Sequence, residues 1–595
     1  MDDGLNPAVQ MAAQLENFGI NVRRAVLHKE IVKPYARPKL TARVVSLLAG
    51  GDCVLLRGDS GVGKTELARS AAFVNWPEDP DPGQLPLFED TGRYAHIIEV
   101  TPSDFILGCR WAHDLENKIS FVFQQIRRKG AILFVDCLDE CIGAGSSSSD
   151  PYSDVASLLT HQIETGALVI GAVTYAGDAR LRLEAPRLHS RFTIMDVPPP
   201  DASETLKIVR RELRLLAASG VKCDDSLAET AIETAARYLP GETAVRGATR
   251  LCRGAAADNA RVTPADLRVQ AARELGVDAR FTGVGRPPRF DSVCKELARD
   301  VFGQEEAVAA VAEALIRFAT GMCEPKRPIA TFLFVGPSGC GKTTLALAAA
   351  KTLTGDEDSV IRFDMSEYSD PWAPRRLTSD NEDSLVSRLI ARPAGVLLLD
   401  EIEKAHPLVF NLLLQAIGES RITSESGHSA RLDTHLIVMT SNIGSHRWSS
   451  RVSAEAARRG VLADCAEVFP PEFRGRLTRT VVFAPIGSAV TSRIVERELA
   501  RLGRMPGLAE RGLQLTWPPE LVTALCVYGS REKGARSIQQ VVQGLVATPL
   551  AKWLAEQPDV RDGLVVLAPG VTGGRLESLT IDWVGDRAAG LGVLH

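Results

Sequence analysis

The sequence predicts an α/β protein of two tandem modules, each a mostly parallel sheet followed by a smaller helical region. Three observations carry this. The glycine-rich pattern G-x-x-x-x-G-K-[ST] occurs twice, over Gly58 to Thr65 and over Gly336 to Thr343. The same succession of apolar runs surrounds each occurrence. Each succession gives way to a stretch rich in helix formers, from Glu204 and from Ser488.

The elements follow in order. Cys53 to Leu56 and Thr331 to Val335 are short apolar runs that read as buried strands entering the loops. The alanine- and leucine-rich stretches from Glu66 and from Thr344 read as helices leaving them. A second strand ends in aspartate in each half (Ala131 to Asp136; Gly395 to Asp400), and a third ends in small polar residues (Ala167 to Thr174; His435 to Asn442). The predicted division is an N-terminal arm over 1–30, large domains over 31–200 and 291–487, small helical domains over 201–282 and 488–595, and a linker over 283–290. Ser146 to Ser149 reads as a low-complexity loop.

A chain of 595 residues with 45% hydrophobic and 24% charged residues buries several cores. A net charge of −5 supplies no overall basic field for nucleic acid. The 11 cysteines, several inside apolar runs, read as reduced thiols of a cytoplasmic protein. Cys137 and Cys141 lack a second ligand pair at zinc-like spacing, so no zinc site is expected. Neither a signal peptide nor a membrane-spanning run is expected.

The repeated loop has a specific chemistry. Its glycines (Gly58 and Gly63; Gly336, Gly339 and Gly341) let backbone amides converge on phosphates. Lys64 and Lys342 reach the terminal phosphates, the hydroxyls of Thr65 and Thr343 bind magnesium, and Thr344 follows at the helix start. ATP and Mg are the expected cofactors. Hydrolysis also needs one acid for magnesium and a second to polarise water. The second half has both, Asp400 and Glu401, whereas the first has Asp136 followed by Cys137, a poor base. Asp139 or Glu140 is the alternative base, although both lie past the strand end. The first site is expected to bind ATP and turn it over slowly.

Further motifs carry a family resemblance. Asp364-Met-Ser-Glu-Tyr368, Leu397 to His406, Met439 to Gly444, Phe469 to Arg476 and Lys533-Gly-Ala-Arg536 resemble the second ATPase module of the Clp family of AAA+ unfoldases, the ClpA/ClpB/ClpC group. Leu15 to Ile20, the first phosphate loop, Ile142 to Gly145 and Ile170 to Thr174 resemble the first module more loosely. The resemblance implies two tandem AAA+ modules, ATPase activity, protein substrates and a homo-hexamer. It also implies residue roles: Asn442 and Thr174 as γ-phosphate sensors, Arg476 and Arg191 as arginine fingers reaching a neighbouring subunit, and Arg536 as a lid sensor.

Departures from the family shape the expectation. Arg110 and Trp111 fall where the first module carries a basic–aromatic pair that grips substrate. In the second module, Thr378 to Asp383 replaces the glycine-aromatic loop, with Trp372 as a weak substitute. Val245-Arg246-Gly247 stands where the first lid has a proline-aspartate-lysine run, which puts nucleotide sensing by that lid in doubt. No amino-terminal adaptor domain, coiled-coil insertion or protease-docking tripeptide is expected, so a dedicated adaptor protein is a plausible partner. The reading is a protein-remodelling ATPase driven mainly by its second module. A nucleotide-gated scaffold and an AAA+ switch acting on nucleic acid are the alternatives.

Overall fold

Alternation of fully apolar strands with helices builds the same sheet twice. The computed structural model describes residues 18–74, 96–109, 112–145, 154–239, 243–324, 326–448, 452–528, 534–572 and 575–585. The first sheet contains β1 (Ile20–Asn21), β2 (Cys53–Arg57), β3 (Ile97–Val100), β4 (Ile132–Val135), β5 (Val169–Val173) and β6 (Phe192–Asp196). Their spatial order is β1-β3-β4-β5-β2-β6, all parallel except for β1 against β3. The second sheet contains β7 (Ala330–Val335), β8 (Ile361–Asp364), β9 (Gly395–Asp400), β12 (His435–Ser441) and β13 (Arg479–Val482), in the parallel order β13-β7-β12-β9-β8. Between β9 and β12 runs a small hairpin of β10 (Arg421–Thr423) and β11 (Ser429–Arg431).

Without β1, the orders are the same: the strand entering each phosphate loop lies between the last strand and the one ending just before Thr174 or Asn442. Connections therefore diverge at β2 and β7, and a crevice opens at the carboxyl ends of those strands. Every residue of β4, β5, β7, β9 and β12 is buried, as expected of parallel strands covered on both faces.

The first small region packs the helices Ala202–Ala218, Leu227–Tyr238 and Ala244–Asp258 on one another. The second combines helices from Ser488 to Glu556 with a sheet of β14 (Leu513–Thr516), β15 (Gly563–Thr572) and β16 (Arg575–Gly585), an addition to the helical region expected there. The chain divides into two compact units, 1–264 and 265–595, ahead of the expected linker at 283–290. The reason is local. The Asp278 amide donates to the Leu353 carbonyl at 2.8 Å, and Arg280 forks onto Glu296 at 2.7 and 2.8 Å, so this turn belongs with the second unit. No helix among the described residues is long and apolar enough to cross a membrane.

Candidate nucleotide sites

In the second unit the phosphate loop leaves β7 at Gly336 and enters the helix Lys342–Thr354 at Gly341. Gly336, Gly339 and Gly341 have φ of 155°, 73° and 103°. A Cβ on Gly336 would stand 2.5 Å from the Phe483 carbonyl oxygen, so only glycine allows the loop to pass beneath it. The Lys342 ammonium is buried and donates to the carbonyls of Gly336 (2.6 Å) and Pro337 (2.9 Å) and to Asn442 Oδ1 (2.9 Å). Burial pulls its pKa below the usual lysine value.

Asp400, at the end of β9, accepts from Arg362 Nη2 at 2.7 Å and from the Thr440 hydroxyl. Glu401 follows in a left-handed backbone conformation, φ 54°. That turn points its carboxylate to Lys404, 2.5 Å away, and to Asn442 Nδ2 at 3.5 Å. Glu403 accepts the Asn442 amide at 3.0 Å and fixes the loop after β12. Lys342, Asp400, Glu401 and Asn442 thus lie at one crevice, while Thr343 and Thr344 are half-buried on the loop helix. Thr344 also lines a cavity of about 480 Å³ with Arg497 and Gln539.

The small domain touches the loop directly. The Ala535 amide, at the start of the helix Gly534–Val542, donates to the Gly339 carbonyl at 2.9 Å. Arg536 follows, exposed, with its charge acting on Lys342. Arg476 is exposed and makes no ion pair among the described residues; its guanidinium packs over Gly418.

The first unit repeats the loop and changes its surroundings. Lys64 donates to the carbonyls of Gly58 (2.7 Å) and Asp59 (2.9 Å), and burial lowers its pKa. Gly63 has φ 93°, and a Cβ on Gly58 would lie 2.6 Å from the Val197 carbonyl, the counterpart of the Gly336 constraint. The Thr65 hydroxyl donates to Asp136 at 2.7 Å, bringing the expected magnesium ligands together.

Cys137 occupies the backbone conformation of Glu401, with φ 55°. Burial and the carboxylates of Asp136, Glu140 and Asp139 push its thiol up to about 11, so it stays protonated and is no base at neutral pH. Asp139 packs against Gly177, beside the helix start capped by Thr174. The Thr174 hydroxyl accepts the Gly177 amide at 3.0 Å, a helix cap where Asn442 bonds lysine and glutamate. Arg191 is half-exposed and pairs with Glu164.

Two contacts to the first loop have no counterpart among the sequence motifs. Thr243 Oγ1 donates to the Gly61 carbonyl at 2.9 Å, and Arg246 Nη1 donates to Ser60 Oγ at 2.9 Å, so the first lid grips its loop through the segment that departs from the family. The usable signal was Thr243, a capping residue ahead of an amphipathic helix. Arg110 and Trp111 lie outside the described residues. Trp372 is 66% exposed at the start of the helix Ala373–Thr378.

Comparison with known proteins agrees with this geometry. Residues 54–195 match the model of the ATPase family associated with various cellular activities, and 327–480 match an AAA domain (Cdc48 subfamily). Residues 487–566 match the C-terminal, D2-small domain of ClpB protein. A ClpA homolog protein of Fuscovulum blasticum is 32% identical over 86% of this chain. The chain belongs to the Clp family of tandem AAA+ ATPases. It spans 66% of the length of that ClpA homolog. This Clp chain is also 26% identical, over 93% of its length, to the ATP-dependent Clp protease ATP-binding subunit ClpE of Lactococcus lactis, covering 83% of that protein. Among solved structures, Hsp104 with ATPγS and FITC casein superposes with a TM-score of 0.74 at 25% identity, covering 96% of this chain and 99% of that one. As a Clp ATPase, the protein falls in a class of ATP-driven chaperones and unfoldases.

Proposed function

We propose that the protein is an ATP-driven protein-remodelling machine in which the second module hydrolyses ATP and the first holds it. In this reading Glu401 polarises the attacking water and Asp400 holds magnesium with Thr343. Lys342, Thr344 and the amides around Gly336, Gly339 and Gly341 bind the phosphates. Asn442 and Arg536 sense the γ-phosphate within the subunit, and Arg476 reaches the neighbouring subunit of a homo-hexamer. Gly58, Gly63, Lys64, Thr65, Asp136, Thr174 and Arg191 serve the first site in the same way, without a base. Both sites offer the hard oxygen donors that magnesium prefers, and the ion supplies charge neutralisation on the phosphates. The substrate is a protein segment gripped by Arg110 and Trp111, and the working compartment is the cytoplasm.

The observation that carries this division is the matched turn: Glu401 and Cys137 share one strained backbone conformation, and only one of them bears a carboxylate. Replacing Glu401 with Gln is expected to lower phosphate release about 100-fold or more while ATPγS binding persists at both sites. Retention of a third or more of wild-type turnover overturns the assignment.

A further inference from the structure

The first module carries a charged bridge at the root of its phosphate loop that the second lacks. Arg57 is the last residue of β2, directly before Gly58. Its guanidinium forks onto Asp196, the last residue of β6, through Nε (2.8 Å) and Nη2 (3.1 Å). Nη1 donates to Asp178 Oδ2 at 2.9 Å. Asp178 is buried, four residues beyond Thr174, and its other oxygen meets His189 Nε2 at 2.9 Å. His189 ends the short helix Pro186–His189 that leads into Arg191. Arg182 Nη2 adds a longer bond to Asp178 at 3.3 Å.

The strand register makes the comparison within the chain direct. Arg57 pairs with Asp196 across β2 and β6, and Val335 pairs with Val482 across β7 and β13. Both valines are buried. His446, four residues after Asn442, corresponds to Asp178, and its side chain is 71% exposed. An apolar pair therefore suffices to close the sheet at this place, and the first module replaces it with ionised groups.

We infer that Arg57 is a positioning residue that, through Asp178 and His189, ties the first phosphate loop to the segment presenting Arg191. A planar fork held by two carboxylates has little angular freedom. A shift of the loop at Gly58 is therefore passed to the Asp178 helix and on to His189. The first site, which lacks a base, uses the bridge to report its nucleotide to the neighbouring subunit. This rests on the proposed reading of Arg191 as a finger in a ring.

A double-mutant cycle on the full chain separates the two ideas. The readout is the ATPγS concentration for half-maximal assembly, measured by mass photometry. Arg57→Leu is expected to raise that concentration about fivefold or more, the low end of usual coupling. In an Arg191→Ala background the same change is expected to have no further effect. His189→Gln, which leaves the Arg57 ion pairs intact, is expected to follow Arg57→Leu with unchanged thermal stability. Arg57→Val with Asp196→Val recreates the second module's own pair and serves if Arg57→Leu fails to fold. An equal effect of Arg57→Leu in both backgrounds overturns the bridge and leaves the finger standing. An unchanged Arg191→Ala overturns both.

Discussion

Restoring a carboxylate at residue 137 tests the division of labour from the opposite side. In a Glu401→Gln background, Cys137→Glu reintroduces a base into the first site. A positioned base contributes about 10²–10⁴ in rate, or roughly 3–5 kcal/mol of barrier. The backbone already has the required turn, φ 55° against 54°, so the substitution demands no rearrangement of the chain. The surroundings are less favourable. Glu401 is steadied by Lys404, three residues on and 2.5 Å away, whereas the third residue after Cys137 is Glu140. A solvent-screened pair of this kind steadies the carboxylate modestly, and a like charge in its place loosens it. Trading the attractive neighbour for a repulsive one should lower the share of correctly placed base by up to about tenfold. Cys137→Glu alone should therefore recover about a tenth of the phosphate release recovered by Cys137→Glu with Glu140→Lys. Coupled phosphate-release assays read this, and adding Lys64→Ala should abolish the recovered rate. Equal rates in the single and double variants, or no recovery in either with ATPγS binding intact, would refute the reasoning.

Other outcomes follow from single contacts. His435 is fully buried, its Nε2 lies 3.0 Å from the Arg392 carbonyl, and burial lowers its pKa to about 4. The unfolded chain therefore takes up this proton first. The stability present above the unfolded value of about 6.5 should be lost at roughly 1.4 kcal/mol per pH unit as pH falls towards 4. Urea unfolding of His435→Gln across that range should lack this component of the slope. Gly336→Ala sets a Cβ against the Phe483 carbonyl and should weaken ATPγS binding at the second site more than about tenfold by calorimetry. Phe473 packs edge-on to Phe410 at 5.1 Å and stacks with Phe469 at 5.7 Å, so Phe473→Ala should cost about 3–5 kcal/mol in urea unfolding and loosen the turn that carries Arg476.

Three strands of each sheet were legible because each announced itself as an apolar run with a polar end, and the two loops supplied the register of the repeat; β1, β3, β6, β8 and β13, and the spatial order of the strands, emerge only in the fold. The loss of a base at Cys137 was likewise visible in one letter. Its left-handed turn and its protonated thiol were not, since both arise from the fold around it. Thr174 matches a sensor by position, but the bond by which its hydroxyl also caps the following helix, from the Gly177 amide, is a product of the fold. Arg246 stayed hidden because its partner, Ser60, lies 186 residues away in sequence. The division ahead of residue 283 was equally hidden, depending on the bond from Asp278 to Leu353. The sheet β14–β16 escaped notice because β14 must pair across helices before its short apolar pattern means anything.

The two lids hold their loops with different parts of the polymer. In the second module the bond to Gly339 comes from the main chain at Ala535, which every amino acid except proline provides. In the first module the bonds to Gly61 and Ser60 come from a threonine hydroxyl and an arginine. Drift in sequence can therefore slacken the first latch by single replacements, while the second latch tolerates almost any side chain at its contact point. On the proposed division of labour, the clock of the holding site is adjustable and that of the motor comparatively fixed.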